Sequence, residues 1–291
     1  MTVETVAIGG RAVRFTKPDK VLWPATGTTK RDLLEYYRAV APVLLDHIAG
    51  RPMTLGRWPD GTGELGWFQT NCPHPPGWIP THPVRRRNYC LINEEPALVW
   101  AVNLATIEFH PLLARVPALD APDSVLFDLD PGEDVPMGVC ATVALDLRAV
   151  LARHGLEAFP KTSGQWGLHV VVPLGPGHDY AATKRFARAT AGRLSAARPG
   201  LVVDRMEKAR RQGRVFIDWS QNDASKSTVA PYSLRAMPWP SPSTPLRWDE
   251  VEAAAAGRLS LRFDGAAVRR RLEAAGDLFR PALDCAQPLP A

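Results

Sequence analysis

No stretch of this sequence leaves fewer structural choices than Ser124-Val125-Leu126-Phe127-Asp128-Leu129-Asp130-Pro131-Gly132. It reads as a buried strand that ends in a turn. In a strand, residues i and i+2 share a face, so Asp128 and Asp130 present two carboxylates side by side while Leu129 points into the core. Like charges this close push one pKa up unless a cation neutralises them, and hard oxygen ligands suit Mg²⁺ or Mn²⁺. Taken alone, the pattern reads as a strand ending in an Asp-rich turn sooner than as a metal site. A third acid, Asp218, sits in Arg214-Val215-Phe216-Ile217-Asp218-Trp219, where a short apolar run carries one buried charge that needs a partner. Three carboxylates can hold two ions about 4 Å apart, one lowering the pKa of an attacking hydroxyl and one stabilising a leaving diphosphate.

The surrounding chain is globular. Its 291 residues are 45% apolar, enough for a packed core, and the net charge of +5 fits an anionic partner. Cys72, Cys90, Cys140 and Cys285 form no CxxC pair, so neither a disulfide framework nor a zinc ribbon is expected, and a reducing cytosol is the simplest compartment. No apolar run approaches the roughly 18 residues of a membrane span, and no leader pattern opens the chain.

Thr29 and Asp32 have capping-box spacing and predict a helix whose apolar face continues through Leu33, Leu34, Tyr37, Val40, Ala41, Leu44 and Leu45. A second helix is predicted over 97–109. A third runs from near Asp134 to a stop at Gly155, with Val139, Val143, Leu147 and Leu151 in one stripe. Strands are predicted over 168–173 and 215–219, a helix over 180–197, and two short helices over 248–256 and 266–275 after a proline-rich passage. Strands and helices mix irregularly, so the fold class is α+β, or mixed α/β, in a single domain over 1–291.

Several segments could meet phosphate. The stretch from Lys161 to His169 contains glycines, Ser163 and an imidazole, and reads either as a phosphate-binding loop or as a hairpin with a satisfied histidine. The polar run from Ser220 ends at Arg235, a candidate for bidentate phosphate contact. Cys72, His74, His82 and Cys90 are interrupted by prolines and read as a loop rather than a zinc site. Arg85-Arg86-Arg87 and the cluster Arg205, Lys208, Arg210, Arg211 and Arg214 either track a phosphate backbone or form solvated loops. Trp58 reads as a packing residue, and Arg57 beside it as a group that can face the site.

Together, DKVLWPATGTTK from Asp19, GRWPDG from Gly56, LFDLDPG from Leu126, KTSG from Lys161, IDWSQN from Ile217 and TVAPYSLR from Thr228 resemble the polymerase domain of the bacterial end-joining enzyme ligase D, within the archaeo-eukaryotic primase superfamily. The resemblance covers about 15–237. It implies a primase-like catalytic core with an RRM-like palm sheet (about 116–237), an N-terminal α/β subdomain (about 1–115) and a C-terminal helical elaboration (238–291). Asp128, Asp130 and Asp218 are similar to its metal triad for two Mn²⁺ or Mg²⁺ ions, without zinc. Ser163, His169, Gln221, Arg235, His110 and Lys161 resemble its nucleotide contacts. Lys17, Lys20 and Lys30 resemble its grip on a DNA 5′-phosphate, and Lys30 also falls at a predicted helix N-terminus, a natural anion site. Trp67 and Phe68 resemble aromatics set against a template.

The implied function is template-dependent polymerisation, adding dNTPs or NTPs to 3′ ends at gaps or double-strand breaks in end joining or gap-filling repair. The alternatives are a catalytically weak module that binds 5′-phosphorylated ends, and a primase that starts without a 3′ end. The implied setting is the bacterial cytosol and nucleoid, as a monomer, with gapped or broken DNA, NTP or dNTP, a separate DNA ligase and a Ku-type end-binding protein as partners, and no membrane. Lys17 stands where relatives commonly have Asn, and Trp166 where many have a lysine that reaches the triphosphate. The interval from His110 to Asp128 is shorter than the family's.

Overall fold

The computed structural model describes residues 2–290, with the side chain of Lys208 outside that description. The chain divides into two compact units, one of Met1–Val116, Ser227–Ser243 and Asp264–Ala274, the other of Pro117–Lys226, Thr244–Phe263 and Ala275–Ala291.

The second unit is built on a five-stranded sheet in the order Phe159–Thr162, Leu168–Pro173, Ser124–Pro131, Val215–Asp218, Val202–Val203, antiparallel except for the last pair. Alternation along the central strand places Val125, Phe127 and Leu129 in the core with Leu168, Val170, Val172 and Ile217. Helices Met137–Arg153 and Tyr180–Ala197 cover this face through Val143, Leu147, Leu151, Ala187, Ala191 and Leu194. Truncating the fully buried Phe127 to Ala would cost about 3–5 kcal/mol. Asp179 caps the second of these helices, its carboxylate accepting from Ala182 N at 2.7 Å. The first ends, as predicted, before Gly155 in the left-handed region at φ +70°. It begins at Met137 rather than near Asp134, which itself has φ +63° and cannot continue a helix.

In the first unit, the predicted helix spans Lys30–Ile48 with the Thr29/Asp32 capping box formed. It buries Leu33, Leu34, Tyr37, Val40, Ala41 and Leu44, whereas Leu45 is only half-buried. The adjoining sheet centres on Pro52–Arg57, which pairs with Trp67–Gln69, Arg87–Leu91 and Thr106–Pro111, and Thr81–Val84 extends it beyond Arg87–Leu91.

Two expectations fail in this unit. The second helix spans only Glu95–Asn103, because Ala105 at φ +58° breaks it and Thr106–Pro111 continues as a wholly buried strand. A short run buried on both faces does not reveal its period in sequence. Cys72 and Cys90, expected to be unpaired, form a disulfide with Cα atoms 4.9 Å apart. Trp67–Gln69 and Arg87–Leu91 both pair with Pro52–Arg57, and the Cys72 amide donates to Asn88 O at 2.7 Å, which brings Cys72 to Cys90 across 18 residues, a proximity no spacing motif signals. Among the described residues, no helix is long and apolar enough to cross a membrane.

Candidate active site

Strand register in the second unit builds a row of charged and polar side chains on the sheet face opposite the helices. Lys161 pairs with His169, His169 with Asp128, and Asp128 with Asp218, each directly across from the next on four adjacent strands. Direct cross-strand partners point to the same side, so all four share one face, with Asp130 two residues further along. Lys161 Nζ lies 3.0 Å from His169 Nδ1, and His169 Nε2 lies 3.2 Å from Asp128 Oδ1. Lys161 and His169 are buried and the two aspartates half-buried.

Asp218 is held by its own neighbours. Its Oδ1 accepts from Ser220 N at 2.9 Å and Ser220 Oγ at 2.6 Å, and its Oδ2 from Gln221 Nε2 at 2.9 Å. Gln221, expected at the nucleotide, here orients a carboxylate. Asn222 braces the central strand, giving Nδ2 to Leu126 O at 2.7 Å and accepting Leu126 N at 2.8 Å, beyond the point where Val215–Asp218 stops pairing. Its sequence position beside Gln221 was noticed, but not this role.

The Lys161–His169 segment is a hairpin whose tip is closed by Ser163. The Ser163 hydroxyl accepts from Gln165 N at 3.2 Å and Gly167 N at 3.1 Å. A Cβ on Gly167 would come within 2.1 Å of the Leu129 carbonyl oxygen, so only glycine lets the tip settle against the central strand beside Asp130. Trp166 is half exposed, with the Arg262 guanidinium 5.1 Å above its ring.

The donor set suits a hard divalent cation. Asp128 and Asp218 oppose each other on neighbouring strands, and Asp130 adds a third carboxylate on the same face. Beneath them, burial together with the charges of Asp130 and Asp128 pushes the Cys140 thiol up to about 12, a sign of concentrated negative potential. As the side chains stand, no group of three or more His, Cys, Asp or Glu among the described residues is drawn together tightly enough to hold a metal ion. Ion binding would exchange some of the contacts to His169, Ser220 and Gln221 for coordination.

In the first unit, His110 and Arg235 meet at Glu108, the acid of strand Thr106–Pro111, which sequence reasoning passed over because it read that segment as helix. His110 Nε2 is 2.7 Å and Arg235 Nε 3.0 Å from Glu108 Oε2, and Ala236 N donates to Oε1 at 2.9 Å. Burial pushes the Glu108 carboxyl up, but the His110 hydrogen bond, the charges of Arg235 and His110 and the Ala236 amide outweigh it and hold the group below the usual carboxylate range.

Phe68 packs edge-on against His110 at 5.1 Å and Trp58 at 6.0 Å, while Trp67 lies under the Arg57 guanidinium at 5.2 Å. Both strand aromatics remain exposed, at 47% for Trp67 and 55% for Phe68, which leaves ring area for a stacking partner. Trp58 is the packing residue it was expected to be: a Cβ on Gly66 would fall 2.2 Å from its indole.

The three lysines lie in the same unit but differ. Lys17 is exposed and adopts φ +50°, a left-handed conformation that Asn tolerates better than Lys. Lys20 is 2.9 Å from Asp60. Lys30 is buried, its ammonium donating to Thr16 O at 2.6 Å and Asn103 Oδ1 at 2.8 Å. Burial, with the charges of Lys17 and Lys20, pushes Lys30 down to about 8.

Residues 29–279 match the family described as LigD, primase-polymerase domain. The chain is 42% identical over 284 residues to the multifunctional non-homologous end joining protein LigD of Mycolicibacterium smegmatis, covering 95% of this chain and 37% of that protein. It is 32% identical over 250 residues to the protein of the same description from Pseudomonas aeruginosa, covering 83% of this chain and 29% of that one. The chain therefore spans about a third of the length of these curated relatives. Among solved structures, the polymerase domain of Mycobacterium tuberculosis ligase D in complex with DNA matches with a TM-score of 0.86 and 39% identity, over 94% of this chain and 98% of that one.

Proposed function

The chain belongs to the family of LigD primase-polymerase domains, and on that premise we propose that it is a template-dependent nucleotidyltransferase acting at gaps and breaks in DNA. The observation that carries this reading is the direct opposition of Asp128 and Asp218 on adjacent strands, within a chain matched to the family over 29–279. Asp128, Asp130 and Asp218 would hold two Mn²⁺ or Mg²⁺ ions, which when bound lower the pKa of the attacking hydroxyl and neutralise charge on the leaving diphosphate.

The chain's own residues do the rest. The Ser163 hydroxyl, held at the hairpin tip by the Gln165 and Gly167 amides, would meet a phosphate oxygen, and His169 offers a ring nitrogen beside Asp128. His110 and Arg235 are fixed by Glu108 as candidate contacts to the nucleotide. Lys17, Lys20 and Lys30 form a cationic group for a 5′-phosphate, and Trp67 and Phe68 supply rings for template bases. The curated relatives are described as non-homologous end joining proteins and the matched structure as bound to DNA, which supports broken or gapped DNA as the partner.

Primer extension on gapped DNA, with dNTPs or NTPs and with or without a downstream 5′-phosphate, tests the proposal. Asp128→Ala should lose Mn²⁺-dependent extension while binding DNA normally. Extension retained by that variant would overturn it.

A further inference from the structure

Lys161 was expected to touch the nucleotide, yet its side chain is among the largest that are fully buried, at 2% exposure. Such burial is costly for an amine and calls for a compensating partner. The sheet supplies one: Lys161 is the direct cross-strand neighbour of His169, and Nζ lies 3.0 Å from Nδ1. An ammonium has donors and no acceptor, so Nδ1 must accept. A neutral imidazole then carries its proton on Nε2, and Nε2 is the nitrogen 3.2 Å from Asp128 Oδ1.

We infer that Lys161 is a positioning residue that acts through His169, fixing the Nε2–H tautomer and holding the proton-bearing edge of the ring toward Asp128. Register rather than a mobile loop sets this geometry, because Lys161, His169 and Asp128 are successive direct partners on three strands. A buried group behind a ring selects which nitrogen of that ring works at the site, as supporting residues do for other histidines beside catalytic ions. The tautomer rests on this geometry with Lys161 as an ammonium, while its consequence for turnover rests on the proposed polymerase function.

Long-range proton–nitrogen correlation spectra of the nitrogen-15-labelled full chain test the tautomer directly. In the wild type, His169 Nδ1 should resonate as an unprotonated and Nε2 as a protonated ring nitrogen. The reverse assignment would overturn the inference, whatever any variant does. Lys161→Met should give a mixture of tautomers and lower kcat for extension by roughly 10–100-fold, with KM for the nucleotide little changed. Lys161→Arg, again a donor without an acceptor, should keep the tautomer and restore most of the turnover. A Lys161→Met variant that raises KM and leaves kcat intact would instead identify a nucleotide contact. Should Lys161→Met not fold, the wild-type spectrum and Lys161→Arg decide. If Asp128→Ala still extends primers, the proposed function fails, and the tautomer assignment stands or falls separately.

Discussion

The two units treat the carboxylates on their strands in opposite ways. In the first, Glu108 is answered by Arg235, His110 and the Ala236 amide, a set of counter-charges and donors supplied by the chain itself. In the second, the sheet sets Asp128 directly against Asp218, and Lys161 stands two strands from Asp128 behind His169. A carboxylate neutralised from within is architecture that fixes its partners. Carboxylates aligned against each other are an arrangement waiting for charge from outside.

The contrast can be broken most sharply at Asp218. Asp218→Ala should lower metal-dependent primer extension by roughly 10³-fold or more, about 4 kcal/mol of transition-state stabilisation, with the fold retained in circular dichroism. Glu108→Gln should act on stability instead, costing roughly 3 kcal/mol in denaturant unfolding, because it removes the buried Glu108 charge from half-buried Arg235 and buried His110. The wild-type Glu108 has its folded-state pKa below the ordinary carboxylate value. Its contribution is therefore present above that ordinary value and lost as pH falls through the depressed one, and Glu108→Gln should lack this acid-side loss.

Lys30 lies between the two extremes. With its pKa lowered to about 8, the unfolded chain holds the extra proton between that value and the ordinary lysine range, so the free protein gains stability from Lys30 as pH rises through this window. A bound phosphate favours the charged amine. Preference for 5′-phosphorylated over 5′-hydroxyl ends should thus weaken as pH climbs past about 8, and Lys30→Met should remove roughly tenfold of that preference, about 1.4 kcal/mol, measured by fluorescence anisotropy. The smallest effect is expected from Asp128→Asn in chelator. Relieving a direct cross-strand repulsion should raise stability by about 0.2–1 kcal/mol, and a loss of stability there would mean the carboxylates are already neutralised within the fold.

Elements whose pattern is local were legible in the sequence. Helix Tyr180–Ala197 and strand Leu168–Pro173 lie where their periodicity puts them, and the Thr29/Asp32 capping box opens its helix at Lys30. Strand Thr106–Pro111 was not legible, because burial on both faces erases alternation and the left-handed Ala105 has no side-chain signature. Within the site, the aspartates were visible as charges in apolar runs. The partners of His110 and Arg235, the burial of Lys161 and the Cys72–Cys90 link depend on strand pairing between distant segments, which one sequence does not display.

The segment division described above also bears on how such a protein can change over time. The backbone passes from one unit to the other five times, at 116/117, 226/227, 243/244, 263/264 and 274/275. Neither unit can be lifted out as a cassette by cutting the gene in two places. A single proteolytic nick at 226/227, 243/244 or 263/264 would leave both fragments contributing to both units, held by their internal packing. Recombination between relatives at 116/117 would separate Glu108 and His110 from their partner Arg235, because the first unit takes residues from both sides of that boundary.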